Sequence, residues 1–251
     1  MTHLSVNLNA IAMLRNRRDV PWPSVTGMGR IALEAGAHGL TVHPRPDERH
    51  IRRTDVAELA ELLQDFPGRE FNIEGYPSGD FLDLVARTRP DQVTFVPDDP
   101  SQSTSDHGWP IAESRAILEP AIGRMRELGI RVSLFVDADP SAPAEAAMLG
   151  ADRIELYTGP FGAASDPEII TSELAALKST ADSARLAGRN SHPGVPGLGV
   201  NAGHDLNLVS LPLLREAIPD LAEVSIGHAL TADSLIYGMA ESVRRYRAAC
   251  G

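Results

Sequence analysis

Residues 34–44 read EAGAHGLTVHP: the end of a helix-spaced stretch, a glycine, then a short apolar run that stops at a histidine. The same grammar returns at 127–132, ELGIRV, and at 148–154, MLGADRI. A glycine after helical spacing, followed by an apolar or β-branched run, marks a capped helix handing the chain to a strand. Working outward from these turns gives eight strand-like runs. They are LSVNLN (4–9), GLTVHP (39–44), EFNIEGY (70–76), QVTFVP (92–97), RVSLFVD (131–137), RIELYTG (153–159), GLGVNAG (197–203) and EVSIGH (223–228). Segments of helical spacing fill every gap, and the last is predicted to be one helix over 232–249. Gly36, Gly129, Gly150 and Gly188 are predicted C-caps. Eight βα units in a chain of 251 residues have the rhythm of an α/β fold of the (β/α)8 TIM-barrel type, one domain over 1–251. The alternative is an open doubly wound sheet, but no dinucleotide-type glycine fingerprint follows the first run. The stretches 14–23 and 98–110 are predicted loops over the barrel mouth. The stretch 188–197 is predicted to be an insertion entering the seventh strand from below.

Composition narrows the function classes. A formal charge of −11 argues against nonspecific nucleic-acid binding, which needs a basic surface. No apolar run approaches the roughly 18 residues of a membrane span, and the N-terminus lacks the pattern of an export signal. The only cysteine, Cys250, excludes an internal disulfide framework and fits a reducing, cytoplasmic location. The only lysine, Lys178, falls in helical spacing away from any strand end, so a Schiff-base lysine is not expected.

In barrel enzymes the chemistry sits where strands end. Those positions here offer Asn7, Asn9, His43, Arg45, Glu74, Asp137, Asp139, Glu155, Asn201, His204 and His228. Glu74, flanked by apolar residues in FNIEGY, is expected to be desolvated and to work as a base near neutral pH. Glu155 is open to a second reading, a structural carboxylate paired with a neighbouring arginine. Asp137 and Asp139 are expected to cap the following turn or helix. A divalent-metal cage is the first rival for the set, but no strand supplies a His-x-His spacing and nearby arginines would repel a cation. Gly-His pairs in NAGHDL and SIGHAL follow the strands where barrels often hold phosphate, and arginines crowd the loop after the second strand. Together they favour a phosphorylated ligand.

The motifs VNLNAIAMLRNRR, GAHGLTVHPRPDERHI, FNIEGY, VSLFVDAD, IELYTG, VNAGHDLN and SIGHAL, in this order from about residue 4 to the C-terminus, resemble those of the pyridoxine 5′-phosphate synthases of the deoxyxylulose-phosphate-dependent vitamin B6 pathway. The resemblance implies a barrel with extra helices, assembled as a homo-octamer, that needs no metal or organic cofactor. It implies two phosphorylated partners, 1-deoxy-D-xylulose 5-phosphate and 3-amino-1-hydroxyacetone 1-phosphate, condensed to pyridoxine 5′-phosphate, phosphate and water. By the same resemblance His43 and Glu74 are bases, His204 is a proton donor and Glu155 stabilises charged intermediates. Asn7, Arg18, Gly227, His228 and the backbone after His204 would hold the amine substrate. Arg45, His50 and Thr104 would hold the sugar phosphate. Two positions depart from the family pattern. Asn9-Ala10 replaces a common Asp-His pair, leaving Asn9 to bind a hydroxyl. Asp205 replaces a glycine, which preserves a backbone contact to substrate but not a carboxylate aimed at phosphate. Two rival readings are an isomerase or lyase acting on one sugar phosphate, and a pyridoxal-phosphate carrier without turnover.

Overall fold

In a computed structural model, which describes residues 1–98, 102, 104–191 and 197–251 (without the side chains of 188–191), eight parallel strands close into a barrel in sequence order. They are β1 (His3–Asn7), β2 (Gly39–Val42), β3 (Glu70–Gly75), β4 (Gln92–Phe95), β5 (Arg131–Val136), β6 (Arg153–Tyr157), β7 (Gly199–Gly203) and β8 (Glu223–Ile226). The ring closes where Leu4 of β1 pairs with Val224 of β8. The helices are α1 (Asn9–Arg15), α2 (Val25–Glu34), α3 (Arg53–Leu63), α4 (Gly79–Thr88), α5 (Ile111–Glu127), α6 (Ala142–Leu149), α7 (Gly159–Ala163), α8 (Pro167–Ser191), α9 (Ser210–Ala217), α10 (His228–Tyr237) and α11 (Met239–Ala249). The barrel and its extra helices are thus as the sequence predicts. Among the described residues, no helix is long and apolar enough to cross a membrane.

Period-two alternation sorts each strand into two faces. Leu4, Val6, Leu40, Val42, Ile73 and Val93 join the apolar layer shared with the helices. The alternate positions are polar and bond to one another across the barrel. Ser5 Oγ lies 2.6 Å from Thr41 Oγ1, and Thr94 donates to Asn72 Oδ1 at 3.0 Å. Nearer the strands' N-terminal ends, Arg131 donates to Gln92 at 2.9 Å and Gln92 to Glu223 at 3.3 Å. Arg153 donates to Asn201 at 3.0 Å. Barrel interiors are more often layered with branched apolar residues. Here most of the polar atoms find partners in one another, while the hydroxyls of Ser133 and Ser225 have none among the described residues.

Gly36, Gly129 and Gly150 take φ of 104°, 72° and 88°, the left-handed cap conformation that glycine adopts without steric cost. Gly188 is a correction: α8 runs through it to Ser191, so it caps nothing. The predicted single C-terminal helix is also corrected. It breaks at Gly238 (φ 80°, ψ 151°), which no helix accommodates, into α10 and α11. The stretch at 9–15, expected to be strand end and loop, winds into α1, and α7 adds another short helix. Of the stretch 188–197, residues 188–191 continue α8, while 192–196 lie outside the described residues.

Candidate active site

At the C-terminal end of the strands lies a cavity of about 800 Å³. Twelve of the thirteen residues given a catalytic or substrate-binding role from the sequence line it, the exception being Arg18; the other strand-end candidates, Asn201, Asp137 and Asp139, do not. Arg18 is exposed in the turn after α1 and is not brought to the cavity, which its neighbour Arg17 lines instead.

The strand ends explain the convergence. Asn7 and Glu74 project inward from β1 and β3, and Asn7 Nδ2 donates to Glu74 Oε2 at 3.4 Å. Burial, reinforced by the charge of Asp98, lifts the Glu74 carboxyl to about 7. Glu155, on β6, is 3% exposed, and its hydrogen bond is a long one of 3.5 Å from Thr94. Burial, and then the negative charge of Glu74, push it well above the ordinary carboxylate range. The reading of Glu155 as an arginine's partner fails for a geometric reason. Arg153, two residues earlier on the same face, points toward Asn201 and lies 3.8 Å from Glu223 in the layer below. Gly203 on β7 leaves room for this carboxylate, since a Cβ there would stand 2.4 Å from Glu155 Oε1.

After β2 the chain is set by its neighbours. Asn9 Oδ1 accepts from the backbone N–H of His43 at 2.9 Å, so its amide oxygen is engaged in placing that histidine. Burial, with Arg45 and His50 close by, pushes His43 well below the ordinary histidine range. It is therefore neutral at physiological pH, the state a base requires. Burial and Arg45 bring His50 down to about 4. Its Nδ1 accepts from Ile51 N at 2.9 Å, so the neutral ring carries its hydrogen on Nε2. Arg15, bonded to Asp55 at 2.9 Å, braces the same loop by donating to the His50 carbonyl at 3.1 Å.

Asp98 is the member that sequence reasoning missed. It pairs with Arg45, accepts from Ser105 at 2.8 Å and approaches His43 Nδ1 at 3.8 Å. Its Oδ1 is buried with no hydrogen-bond partner among the described residues. The available signal was position: Asp98 closes QVTFVPD, the one strand end left without a polar candidate. Asp137 corrects another expectation. It accepts from Gly108 N at 2.9 Å and so anchors the loop over the mouth, whereas Asp139 does cap its turn through Ser141. On that loop Thr104 Oγ1 lies 2.9 Å from His204 Nε2. Gly227 lets β8 approach β1, because a Cβ there would be 3.1 Å from that of Asn7. Among the described residues, no group of three His, Cys, Asp or Glu side chains is arranged to hold a metal ion. Lys178 is exposed on α8 and paired with Asp182 at 2.6 Å.

A closed parallel barrel whose cavity at the strands' C-terminal ends gathers buried carboxyls and a neutral histidine has the form of a (β/α)8-barrel enzyme. Comparison with known proteins narrows this. The family described as "Pyridoxal phosphate biosynthesis protein PdxJ" matches residues 4–251, and the chain belongs to that family. It is 63% identical over 251 residues to a pyridoxine 5′-phosphate synthase of Chelativorans sp. (strain BNC1), covering 98% of both chains. It is 61% identical to one of Mesorhizobium japonicum, covering 99% of this chain and 98% of that one. Among solved structures, the HMG-CoA lyase from Brucella melitensis superposes with a TM-score of 0.59 over all of this chain and 97% of that one, at 13% identity, a likeness of fold alone.

Proposed function

We propose that this cavity condenses 1-deoxy-D-xylulose 5-phosphate with 3-amino-1-hydroxyacetone 1-phosphate to give pyridoxine 5′-phosphate, inorganic phosphate and water. The observation that carries the reading is the meeting of Glu74, lifted to about 7, with a neutral His43 in one cavity. Joining the two substrates needs the amine of one to attack the ketone of the other, then loss of water and phosphate. Each step moves protons: a carboxyl that titrates near 7 can take and return them, and an imidazole kept neutral can take them. In this reading Glu74 and His43 remove protons, His204 returns them to departing oxygens, and Glu155 stabilises cationic intermediates. The Nε2–H of His50, the guanidinium of Arg45 and the hydroxyl of Thr104 take the sugar phosphate. Asn7, Gly227 and His228 take the amine substrate. Because Arg45 is paired with Asp98, an arriving phosphate competes for a guanidinium that is already oriented.

No lysine is needed, since the imine joins the substrates, and the reading requires no metal or organic cofactor. Assembly into a homo-octamer in the cytoplasm is part of the same proposal. It is supported by the exposed Leu235 and Ile236 on α10, 80% and 73% accessible in the single chain. The deciding experiment supplies both substrates to chelator-treated protein and follows pyridoxine 5′-phosphate and phosphate release. Stoichiometric product supports the proposal; turnover of the sugar phosphate alone, or binding without turnover, refutes it.

A further inference from the structure

His204 and Asp205 follow β7 directly, and both hold positive φ, 89° and 56°. That region is costly for residues with a side chain, and it persists only where the surroundings impose it. They do so here. Thr158 Oγ1 lies 2.7 Å from the Gly203 carbonyl oxygen and 2.6 Å from that of His204. Gly162 on α7 lets the turn pack closely, since a Cβ there would stand 2.4 Å from the Asp205 carbonyl oxygen. The result brings the Asp205 carboxylate onto His204, with Oδ2 2.9 Å from Nδ1. On the ring's other side, Nε2 meets Thr104 at the cavity. The Tyr157 ring stands perpendicular to the imidazole, 5.3 Å between centroids.

We propose that Asp205 is a positioning residue, which fixes the ring and tautomer of His204 so that Nε2 is the nitrogen exchanging protons at the cavity. The inference rests on the reading of His204 as proton donor. A carboxylate only accepts, so Nδ1 must carry a hydrogen whether the ring is neutral or cationic. Thr104, which can donate or accept, suits Nε2 in either state. The hydrogen bond from His204 holds Asp205 below the usual carboxylate range, so its charge is present throughout the working pH. The other titratable groups around the pair are Glu74, Tyr157 and His228, with Asp106 and Asp137 beyond Tyr157. Asp205 thus supports the acid through its Nδ1.

The test compares D205N and D205G in the full-length protein. Both residues accept a φ near 56°, so the turn is retained. D205N keeps an acceptor and loses the charge; D205G loses both. Expected results are a kcat lower by on the order of tenfold in D205N and lower still in D205G, with KM changed less than about twofold. Nitrogen-15 NMR of the His204 ring should show Nδ1 protonated in the native protein and a tautomer mixture in D205G. A bare Nδ1 in the native protein, an unchanged tautomer in D205G, or a raised KM with unchanged kcat would each overturn the proposal. His204→Gln separates the two readings: undiminished turnover there removes the acid itself, and with it the role claimed for Asp205.

Discussion

Two buried glutamates, one toward each end of the barrel interior, are both lifted to about 7 by burial, yet they are built differently. Glu223 belongs to a meshwork: Gln92 donates to it at 3.3 Å, and Arg153 lies 3.8 Å away as an opposing charge. Among the described residues, Glu74 has no cationic side chain bonded to it, only the amide of Asn7 at 3.4 Å, and it lines the 800 Å³ cavity. The lesson is that a shifted carboxyl does not by itself mark function, because structural networks shift carboxyls too. What separates the pair is access to a ligand and the lack of a partner that would hold the charge still.

The largest effect is expected at Glu74. E74Q should lower turnover by at least about 10²-fold, the lower range for losing a general base, with circular dichroism unchanged. The same substitution at Glu223 should leave turnover within about twofold, and an equal loss at both would break the contrast. A second disturbance of the open end is G203A. Its Cβ would displace the Glu155 carboxylate, and a rate loss on the order of tenfold, equivalent to about 1.4 kcal/mol in the barrier, is expected. Steady-state kinetics beside a thermal melt distinguishes that from a general loss of folding.

The smallest effect concerns stability, where the two ends should behave alike. A carboxyl raised from 4.5 to about 7 in the folded state binds more protons folded than unfolded between those values. Its contribution to stability is therefore full below pH 4.5 and lost as pH rises through 7, by about 3 kcal/mol at most for each group. E74Q and E223Q should each reduce the fall in melting temperature between pH 5 and pH 8. A fall as steep as that of the native protein in E223Q would mean that its partners neutralise it.

Much of this was legible in the sequence. All eight strands follow from apolar runs, those of β2, β5 and β6 announced by glycine-capped helices, and the candidate residues cluster because strand ends converge in a barrel. The inward face was harder to read. The alternation in LSVN or FNIE does not say which parity faces the axis, and polar barrel interiors run against the usual apolar filling. Asp98 escaped because its role depends on Arg45 reaching it from 53 residues earlier. Gly238 escaped because a glycine within helical spacing is often tolerated; only its ψ of 151° ends α10. Asp205 was read as a substrate neighbour and it lines the cavity, but spacing cannot tell that a left-handed turn also points its carboxylate at His204.

The most direct test of the account is the turnover of both phosphorylated substrates by E74Q and E223Q, side by side at pH 7. The account predicts that E74Q retains no more than about 1% of native turnover while E223Q retains most of it. Native-like turnover in E74Q, with its fold intact, would contradict the assignment of the open-end carboxyl as the base.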